Sequence, residues 1–452
     1  MSTLLIKNAT VISVDEQKHL FSPGAVFIED QHIVSVGQSD DVCAAHPMAD
    51  RIVDGHRKVV SPGFISTHNH LGYTVFRGRS EEAGLDCVTG QYVPMTTIIT
   101  RDERRSIGAL TAAELLKSGV TTLLEMEEEV DVYAEFIDQL GIRAGMGLMT
   151  YDVDPSGMVR GEYRYDQSAC ERQLIHAIEF AETWHGRANG RISALMTPNM
   201  TITSSAELLR KSREAADRLG IRLSTHIGWG PEETAVIERL HGMSPFQFMQ
   251  AHGLLAPDVV AAHCYMVDEQ DKHRLADSGA HVAHCPLMNA VRGHIAPILD
   301  YRQRAIPISL GIDNMFSDYF EVVRACVTMA RIKSGDPLAL LAKEALEFST
   351  MGGARALGMD TEIGSIESGK RADLMVVDFD RFGLQPMLDP VQNLVYHARR
   401  DDVEMVLVDG HVLVDNSQIC SLDAKALIDP AAQAAAHVWE RFIKKFGGII
   451  AG

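Results

Sequence analysis

The 452-residue chain lacks the patterns that mark several whole classes of protein. No stretch approaches the roughly 18 consecutive apolar residues that cross a bilayer, so we expect no membrane partner. No basic segment followed by an apolar run opens the sequence, so we expect no signal peptide. The seven cysteines are scattered without CxxC spacing, which argues against a disulfide framework and favours a cytoplasmic location.

Positive charge is also scarce, and this scarcity restricts the possible partners. The chain has 42 Lys and Arg against 61 Asp and Glu, giving a formal net charge of −19. Such a field repels nucleic acid and anionic membrane surfaces and favours a neutral or cationic ligand. The partner we expect is a small-molecule substrate. Neither GxGxxG after a strand nor GxxxxGK[ST] is present, so the sequence gives no indication of a nucleotide cofactor.

The two ends of the chain are rich in short strand patterns separated by Gly and Asp. Residues 1–60 and 362–420 both read this way, and we predict that they form one small β-sandwich domain built from both termini. A helical pattern over 424–446 predicts a C-terminal helix. A chain of this length is expected to contain a large domain and a smaller one.

The middle of the chain, residues 61–361, predicts the α/β class and a (β/α)8 TIM barrel. Eight apolar strand patterns alternate with helical patterns, which is typical of parallel βα units. The predicted strands are 59–68, 120–126, 143–150, 192–199, 222–227, 259–264, 281–286 and 307–313. The predicted helices are 102–118, 131–140, 167–186, 205–219, 232–252, 268–278 and 320–345.

Residues suited to metal binding occur where five of these strands end. The first strand finishes in "THNH", which places His68 and His70 on the same side. Later strands end in His226, His263, His284 and Asp313. The carboxyl ends of barrel strands form the active site, and three imidazoles with a carboxylate suit Zn²⁺ or, alternatively, Fe²⁺. Water bound to such an ion ionises near neutral pH and becomes a nucleophile. An HNH nuclease is excluded by the spacing and by the missing basic surface.

Several longer motifs resemble the amidohydrolase superfamily, in particular its branch of cytosine and guanine deaminases and s-triazine hydrolases. They are "PGFISTHNH" (62–70), "GVTTLLEM" (119–126), "THIG" (225–228), "AAHC" (261–264), "VAHCPLMN" (282–289), "LGIDN" (310–314) and "IGSIESGKRADLMVVD" (363–378). The resemblance implies a metal-dependent amidohydrolase that often forms dimers or larger homo-oligomers. It implies the metal ligands His68, His70, His226 and Asp313, with His263 and Asp313 as catalytic residues and His284 in the pocket.

The resemblance also bears on the number of metal ions. Relatives with two ions use a Lys or Glu at the end of strand 4 as a bridge, whereas here that strand ends in "MTPNMT" (196–201). We therefore expect one divalent ion. A catalytically silent scaffold is disfavoured because every ligand position is filled.

One departure from the family pattern leaves two interpretations of the function. The family usually carries a Glu three residues after the strand-5 histidine, where this chain has Trp229. Indole cannot act as an acid at neutral pH. Our main interpretation is an amide, urea or carbamate substrate that does not need this acid. The alternative is a heteroaromatic aminohydrolase or chlorohydrolase, in which Glu232 or Glu233 folds back to donate the proton.

Further pocket residues are expected around the metal. The irregular segment 71–100 follows the first strand and is long enough to shape a pocket. The acidic run "EMEEEVD" (125–131) is typical of a solvated helix start, with Glu125 the one residue there that could face the pocket. Alternation along the strands turns Cys264 and Cys285 away from the metal. The candidate substrate-binding residues are Tyr73, Phe76, Tyr92, Glu125, Trp229, His284 and Asn289.

Overall fold

The computed structural model describes residues 2–83, 87–158 and 160–447. Two sheets organise the chain, one of eight parallel strands and one of nine strands of mixed direction. The strands are β1 Thr3–Ile12, β2 Leu20–Glu29, β3 His32–Gln38, β4 Arg51–Asp54, β5 Lys58–Pro62, β6 Phe64–Asn69, β7 Val120–Glu127, β8 Arg143–Thr150, β9 Ile192–Pro198, β10 Arg222–Ile227, β11 Val259–His263, β12 His281–His284, β13 Ile308–Leu310, β14 Leu374–Asp378, β15 Val403–Val408, β16 His411–Asp415 and β17 Gln418–Ile419.

Helices cover the barrel and connect its strands. They are α1 Ser39–Ala45, α2 Val93–Thr96, α3 Arg101–Lys117, α4 Asp131–Leu140, α5 Pro155–Met158, α6 Gln167–Trp184, α7 Ala206–Leu219, α8 Pro231–His241, α9 Pro245–Ala251, α10 Glu269–Ser278, α11 Pro286–Val291, α12 Ile298–Gln303, α13 Tyr319–Ser334, α14 Ala342–Phe348, α15 Met351–Leu357, α16 Pro390–His397 and α17 Ile428–Phe446. Among these described helices, none is both long and apolar enough to cross a bilayer.

The eight parallel strands β6 to β13 form the predicted barrel. Each pairs with its neighbour in the chain. Closure is made near the strand ends, where Asn69 and Asp313 form a parallel bridge. There the Asp313 N–H donates to the His68 carbonyl at 2.9 Å, and the His70 N–H donates to the Asp313 carbonyl at 2.9 Å. The predicted fold class, a TIM barrel with an additional domain, is confirmed.

The second sheet joins the two ends of the chain. Its order is β17-β16-β15-β14-β5-β1-β2-β3, and β4 pairs with β1. The joint is the antiparallel pairing of β5 with β14, in which Val60 faces Val376. Val11, Val26 and Leu407 share one buried apolar cluster with these two residues. The domain boundaries at 60, 362 and 420 stay a prediction.

The predicted first strand, 59–68, is in fact two strands in two different sheets. Residues up to Pro62 belong to β5 in the mixed sheet, and β6 in the barrel begins at Phe64. Gly63 marks the transition, since a Cβ there would lie 2.1 Å from Thr121 Cγ2. Only glycine permits so close an approach to the neighbouring barrel strand.

Two predicted helices are each divided by a glycine followed by a proline. The pattern over 232–252 becomes α8 and α9, and the pattern over 320–345 becomes α13 and α14. Gly242 ends α8 in the left-handed conformation at φ 66°, and Ser244 caps α9, whose first residue is Pro245. Gly335 ends α13 in the same way at φ 69°. Apolar periodicity continues across such breaks, so the pattern alone predicts one helix.

A buried ion-pair network ties the start of a barrel strand to the mixed-sheet segment. Arg143, the first residue of β8, donates from Nε to Asp373 Oδ2 at 2.9 Å and from Nη2 to Asp409 Oδ1 at 2.5 Å. All three side chains are at most 2% exposed. Because isolated buried charges are costly, these partners stabilise one another only as a set.

The helix at the C-terminal end of the described chain packs against the segment that follows the first barrel strand. Trp439 of α17 donates from Nε1 to the Val75 carbonyl at 2.6 Å. Phe442 lies in the same apolar cluster as Tyr73 and Phe76. Residues 71–76 form a 3-10 turn directly after His70. The final helix therefore covers the loop next to the strand-end histidines.

Candidate active site

Three histidines from two barrel strands converge at the carboxyl end of the barrel. The ligand nitrogens of His68, His70 and His226 all lie within 4.8 Å of one another. Asp313 Oδ1 lies 3.8 Å from His68 Nε2 and 3.7 Å from His70 Nε2. The structure thus brings together the four residues that the sequence singles out as metal ligands.

The hydrogen bonds of two of these histidines fix which nitrogen faces the cluster centre. His70 Nδ1 donates to the Met126 carbonyl at 2.5 Å, and His226 Nδ1 donates to the Asn199 carbonyl at 2.8 Å. A carbonyl only accepts, so the proton of each neutral ring lies on Nδ1. The two Nε2 atoms face each other at 3.1 Å, each with a lone pair. A bound cation would remove the repulsion between these two nitrogens.

His68 strengthens this fit to a metal ion. Both of its ring nitrogens are buried without a hydrogen-bond partner among the described residues. Burial lowers the pKa values of His68 and His70 well below the usual value, and that of His226 to about 4. The rings are therefore neutral at physiological pH. Neutral imidazoles beside one carboxylate are the donor set that Zn²⁺ prefers.

Asp313 and His263 stand side by side at the cluster. His263 Nε2 lies 3.9 Å from Asp313 Oδ2, and His263 Nδ1 lies 3.3 Å from Asn289 Oδ1. Burial raises the pKa of Asp313 to about 7 and lowers that of His263 to about 3. Both backbones are left-handed, at φ 71° for Asp313 and 73° for His263. Strained non-glycine conformations of this kind are concentrated at functional sites.

The two candidate acids behind Trp229 occupy different environments. Glu233 is fully buried: its Oε1 accepts from the Thr201 hydroxyl at 2.6 Å and its Oε2 from the Trp229 N–H at 3.0 Å. Burial raises the pKa of Glu233 to about 7. Glu232 is half-buried and accepts from the Tyr163 hydroxyl at 2.9 Å. The tight turn before α8 therefore buries Glu233 and leaves Glu232 near the surface.

A cavity opens above the histidines. It holds about 970 Å³ of open space, counting solvent at its mouth. Among the predicted substrate-binding residues, Tyr73, Tyr92, Trp229 and Asn289 line it. Phe76, Glu125, His284, Glu232 and Glu233 do not belong to its wall. Residues 84–86 of the loop 71–100 lie outside the described residues.

The first two carboxyl groups of the acidic run at the end of β7, Glu125 and Glu127, are buried, contrary to the solvated helix start that the sequence predicts, whereas Glu129 and Asp131 are partly exposed. Glu125 accepts from the Leu71 N–H at 3.0 Å, and Glu127 accepts from the Gly72 N–H at 2.8 Å. Glu128 accepts from the Tyr73 hydroxyl at 2.9 Å. The Tyr73 ring in turn stacks on His70 with centroids 4.9 Å apart. These carboxyl groups hold the turn that carries a metal-ligand candidate.

The charge on this acidic run is balanced by one buried arginine. Arg104, only 2% exposed, forms ion pairs with Glu127 and Glu128. Tyr133 adds a hydrogen bond to Glu127 at 3.0 Å. Burial is the main cause that raises the pKa of Glu125 well above the usual value, and the neighbouring Glu127 carboxylate raises it further. The Arg104 cation and the protonation of Glu125 therefore reduce the repulsion among these carboxyl groups.

Sequence reasoning missed part of the cavity wall. Asn199 and Asn314 directly follow strand-end positions, so the rule that located the histidines would have found them. Met158, Tyr265 and Arg292 come from connecting segments and have no such signal. Cys285 was expected to point away, yet its Sγ lies within 4.8 Å of a ligand atom of His68 and of Asp313. The additional wall residues include Met149, Tyr151, Met158, Asn199, Met200, Tyr265, Met288, Arg292 and Asn314.

A protein-family model and known relatives agree with this geometry. The model described as the amidohydrolase family matches residues 59–413. The 5'-deoxyadenosine deaminase of Methanosarcina barkeri is 30% identical over 449 residues, which cover 98% of this chain and 99% of the relative.

Solved structures extend the similarity to the whole fold. A zinc-bound adenosine deaminase from Xanthomonas campestris is 26% identical with a TM-score of 0.89, covering 97% of this chain and 99% of that chain. A zinc complex of the atrazine chlorohydrolase from Arthrobacter aurescens is 23% identical with a TM-score of 0.85, covering 96% and 100%. The second likeness concerns the fold alone. The predicted resemblance to deaminases and triazine hydrolases is confirmed.

Proposed function

The chain belongs to the amidohydrolase family and hydrolyses a non-peptide C–N bond, and we propose that its substrate is a small heteroaromatic amine. In this reaction water replaces a ring amino group, and the products are a hydroxylated ring and ammonia. The proposal takes up the alternative interpretation of the sequence. The observation that carries it is a buried carboxylic acid, Glu233, beneath the residue that stands where the family acid usually lies.

The proposed metal site uses four residues of this chain. His68, His70, His226 and Asp313 would hold one divalent ion, most simply Zn²⁺. When bound, such an ion supplies Lewis-acid activation of water. The single-ion assignment is supported by the end of β9, where the sequence offers no Lys and no carboxylate as a bridge. Fe²⁺ suits the same ligands and is distinguished by metal analysis.

Two carboxyl groups divide the proton transfers in this proposal. Asp313 accepts the proton of the attacking water at a carboxylate oxygen and later delivers it to the leaving amino group. Glu233 gives a proton to a ring nitrogen as the water oxygen adds to the neighbouring carbon, and it recovers that proton when ammonia leaves and the ring double bond is restored. Because Glu233 does not line the cavity, this proton would have to pass through the Thr201 hydroxyl, which lies 2.6 Å from Glu233 Oε1 and directly follows the wall residues Asn199 and Met200.

His263 and Asn289 orient the reacting groups. His263 is neutral and lies beside Asp313, and its Nε2 is an acceptor when Nδ1 carries the proton, so Nε2 can accept a hydrogen bond from the attacking water. Asn289 Oδ1 is placed to accept from His263 Nδ1, which would fix the ring and its tautomer.

The amide, urea or carbamate interpretation has less support. It depended on the absence of an acid near the strand-5 histidine, and a buried acid is present in Glu233. The relative from Methanosarcina barkeri and the structure from Xanthomonas campestris are both named as deaminases. The cytoplasmic location and a dimeric or larger assembly stay predictions.

A substrate panel tests the proposal. Zinc-loaded protein is incubated with amino-substituted purines, pterins, pyrimidines and s-triazines, and separately with amides, phenylureas and carbamates. Release of ammonia from a ring amine is the expected result, with Asp313→Asn as the inactive control. Turnover restricted to the carbonyl compounds would contradict the heteroaromatic assignment and restore the other interpretation.

A further inference from the structure

We propose that the substrate carries an uncharged, apolar substituent on its heteroaromatic ring, in place of a sugar or a charged tail. This inference rests on the proposed function and specifies the substrate class of the same site. It follows from the cavity wall, which combines two unlike sets of residues.

The first set surrounds the histidines and carries unused hydrogen-bonding atoms. Trp229 Nε1 and Asn289 Nδ2 are buried donors without a partner among the described residues, and Asn199 Oδ1 and Asn314 Oδ1 are buried acceptors in the same condition. All four residues line the cavity. Buried polar groups are stable only when paired, so a ligand is expected to pair them. An amino-substituted ring offers both ring-nitrogen acceptors and N–H donors.

The second set, here called the apolar wall, consists of Val88, Val93, Met149, Val153 and Met158. These residues come from the segment after β6, from the end of β8 and from the segment that follows β8. Their side chains offer hydrocarbon and thioether surface. The hydroxyl residues Thr96 and Tyr151 of the same segments also line the cavity, but they already have partners: Thr96 donates to the Val93 carbonyl at 2.8 Å, and the Tyr151 hydroxyl forms a hydrogen bond with Thr96. Hydroxyl groups placed against such a surface lose their hydration without compensation, whereas an alkyl group gains from burial.

The charged residues of the cavity outside the histidine–aspartate cluster already have partners. Glu128 accepts from the Tyr73 hydroxyl at 2.9 Å and from Arg104 Nη1 at 3.0 Å. Arg292 donates to the Ser80 carbonyl at 2.7 Å and to the Tyr92 hydroxyl at 2.9 Å. A charged or hydroxylated tail would have to compete with these contacts, and an alkyl tail would leave them intact.

A homologous series of ligands tests this inference. Equilibrium affinity for the zinc-loaded protein is measured for adenines carrying methyl, ethyl, propyl or butyl at N9, and for amino-s-triazines with the same N-alkyl groups. Adenosine and 5'-deoxyadenosine serve as the sugar-bearing comparison. In at least one ring system, affinity should rise about threefold with each added methylene. The butyl compound should bind at least about tenfold more tightly than either nucleoside.

Matched variants locate the effect in the cavity. Val93→Thr replaces a methyl group by a hydroxyl at nearly constant volume, and should reduce the gain per methylene while leaving nucleoside affinity unchanged or improved. Val34→Thr makes the same change on the exposed strand β3 and should alter nothing. An unchanged gain in Val93→Thr would contradict the placement of the tail on this wall.

The outcomes separate the inference from the function that it specifies. Ammonia release combined with preference for the nucleosides, or with affinity independent of chain length, overturns the inference and leaves the proposed function standing. Rising affinity without ammonia release from any compound overturns the proposed function and leaves the apolar tail supported. Failure of both ring systems to bind overturns both.

Discussion

His70 Nε2 and His226 Nε2 face each other across 3.1 Å, and neither nitrogen carries the proton of its ring. Two lone pairs at this separation repel unless a positive charge lies between them. Burial keeps both rings neutral, so protonation is not available at physiological pH to provide that charge. The arrangement of the two nitrogens therefore favours the binding of a metal ion, and removing one of the nitrogens should have measurable effects.

The first prediction concerns metal content. Purified protein should contain close to one zinc ion per chain, and His70→Ala should lose most of it, because one of the facing nitrogens is removed. Inductively coupled plasma spectrometry gives the content. Turnover by His70→Ala and by Asp313→Asn should fall to background, with thermal unfolding still cooperative. His32→Ala, an exposed histidine on β3, is the control and should keep both metal and activity. Full activity in His70→Ala would refute the assignment.

The second prediction separates the two glutamates. Glu233→Gln should lower kcat by about a hundredfold, the usual contribution of a general acid, and Glu232→Gln should change it less than threefold. The reason is placement, since Glu233 is buried beside Thr201 and Trp229 while Glu232 contacts Tyr163. Steady-state kinetics on the ring amine measures the difference. Equal effects of the two variants would contradict the role of Glu233.

The third prediction gives the pH dependence a sign. An acid must be protonated to act, and the pKa of Glu233 is raised to about 7 by burial. The value of kcat/KM should therefore fall as pH rises above about 7, and Glu233→Gln should remove this alkaline limb.

The raised pKa of Glu233 also means that the folded state binds one proton that the unfolded state has lost at the same pH. Stability from this group is complete below pH 4.5 and is lost as pH rises through about 7. Urea unfolding at pH 5 and pH 8 should show a smaller difference in Glu233→Gln.

The fourth prediction concerns Trp229, whose Nε1 is buried without a partner among the described residues. Trp229→Phe keeps an aromatic ring and removes the donor, so KM for a ring amine should rise about fivefold with zinc content unchanged. Trp184→Phe, on α6 away from the histidines, is the matched control. A variant with unaltered KM would show that the indole N–H does not contact the substrate.

The fifth prediction tests the connection between the barrel and the mixed sheet. Arg143→Ala leaves Asp373 and Asp409 buried without their main cation, so the free energy of unfolding should fall by about 3–5 kcal/mol. Arg51→Ala breaks an exposed pair with Asp415 and should cost less than about 1 kcal/mol. Urea unfolding compares the two. A similar small loss in both variants would contradict the structural role of Arg143.

The fold could be predicted from the sequence because strand and helix periodicities alternate cleanly through the barrel. The boundaries of individual strands and helices were harder to predict from the sequence, and each error has a local cause. In the run 59–68, strand-type residues lie on both sides of Pro62 and Gly63, so the periodicity does not reveal that the chain changes sheets at Gly63, where Thr121 approaches. The helix breaks at Gly242 and Gly335 depend on single residues in a left-handed conformation, which an apolar pattern does not register.

The site was predictable where it depends on strand ends and not where it depends on connecting segments. The positions of His68 and His226 follow from the barrel strand ends, whereas Asp313 lies three residues beyond β13 and is placed by its bridge to Asn69. The choice between Glu232 and Glu233 depends on one tight turn, and two neighbouring glutamates give identical sequence signals. The run 125–131 was interpreted as solvated because charge is usually exposed. The burial of Glu127 within this run depends on Arg104, which lies 21 residues before the run begins and has no motif of its own.

The contact between Trp439 and the Val75 carbonyl joins residues that are synthesised far apart in time. The turn after His70 leaves the ribosome more than 350 residues before α17, so during most of translation it lacks its contact with this helix. Nascent chains halted before Ile428 should consequently bind zinc more weakly than released chains, even when the rest of the barrel has already folded.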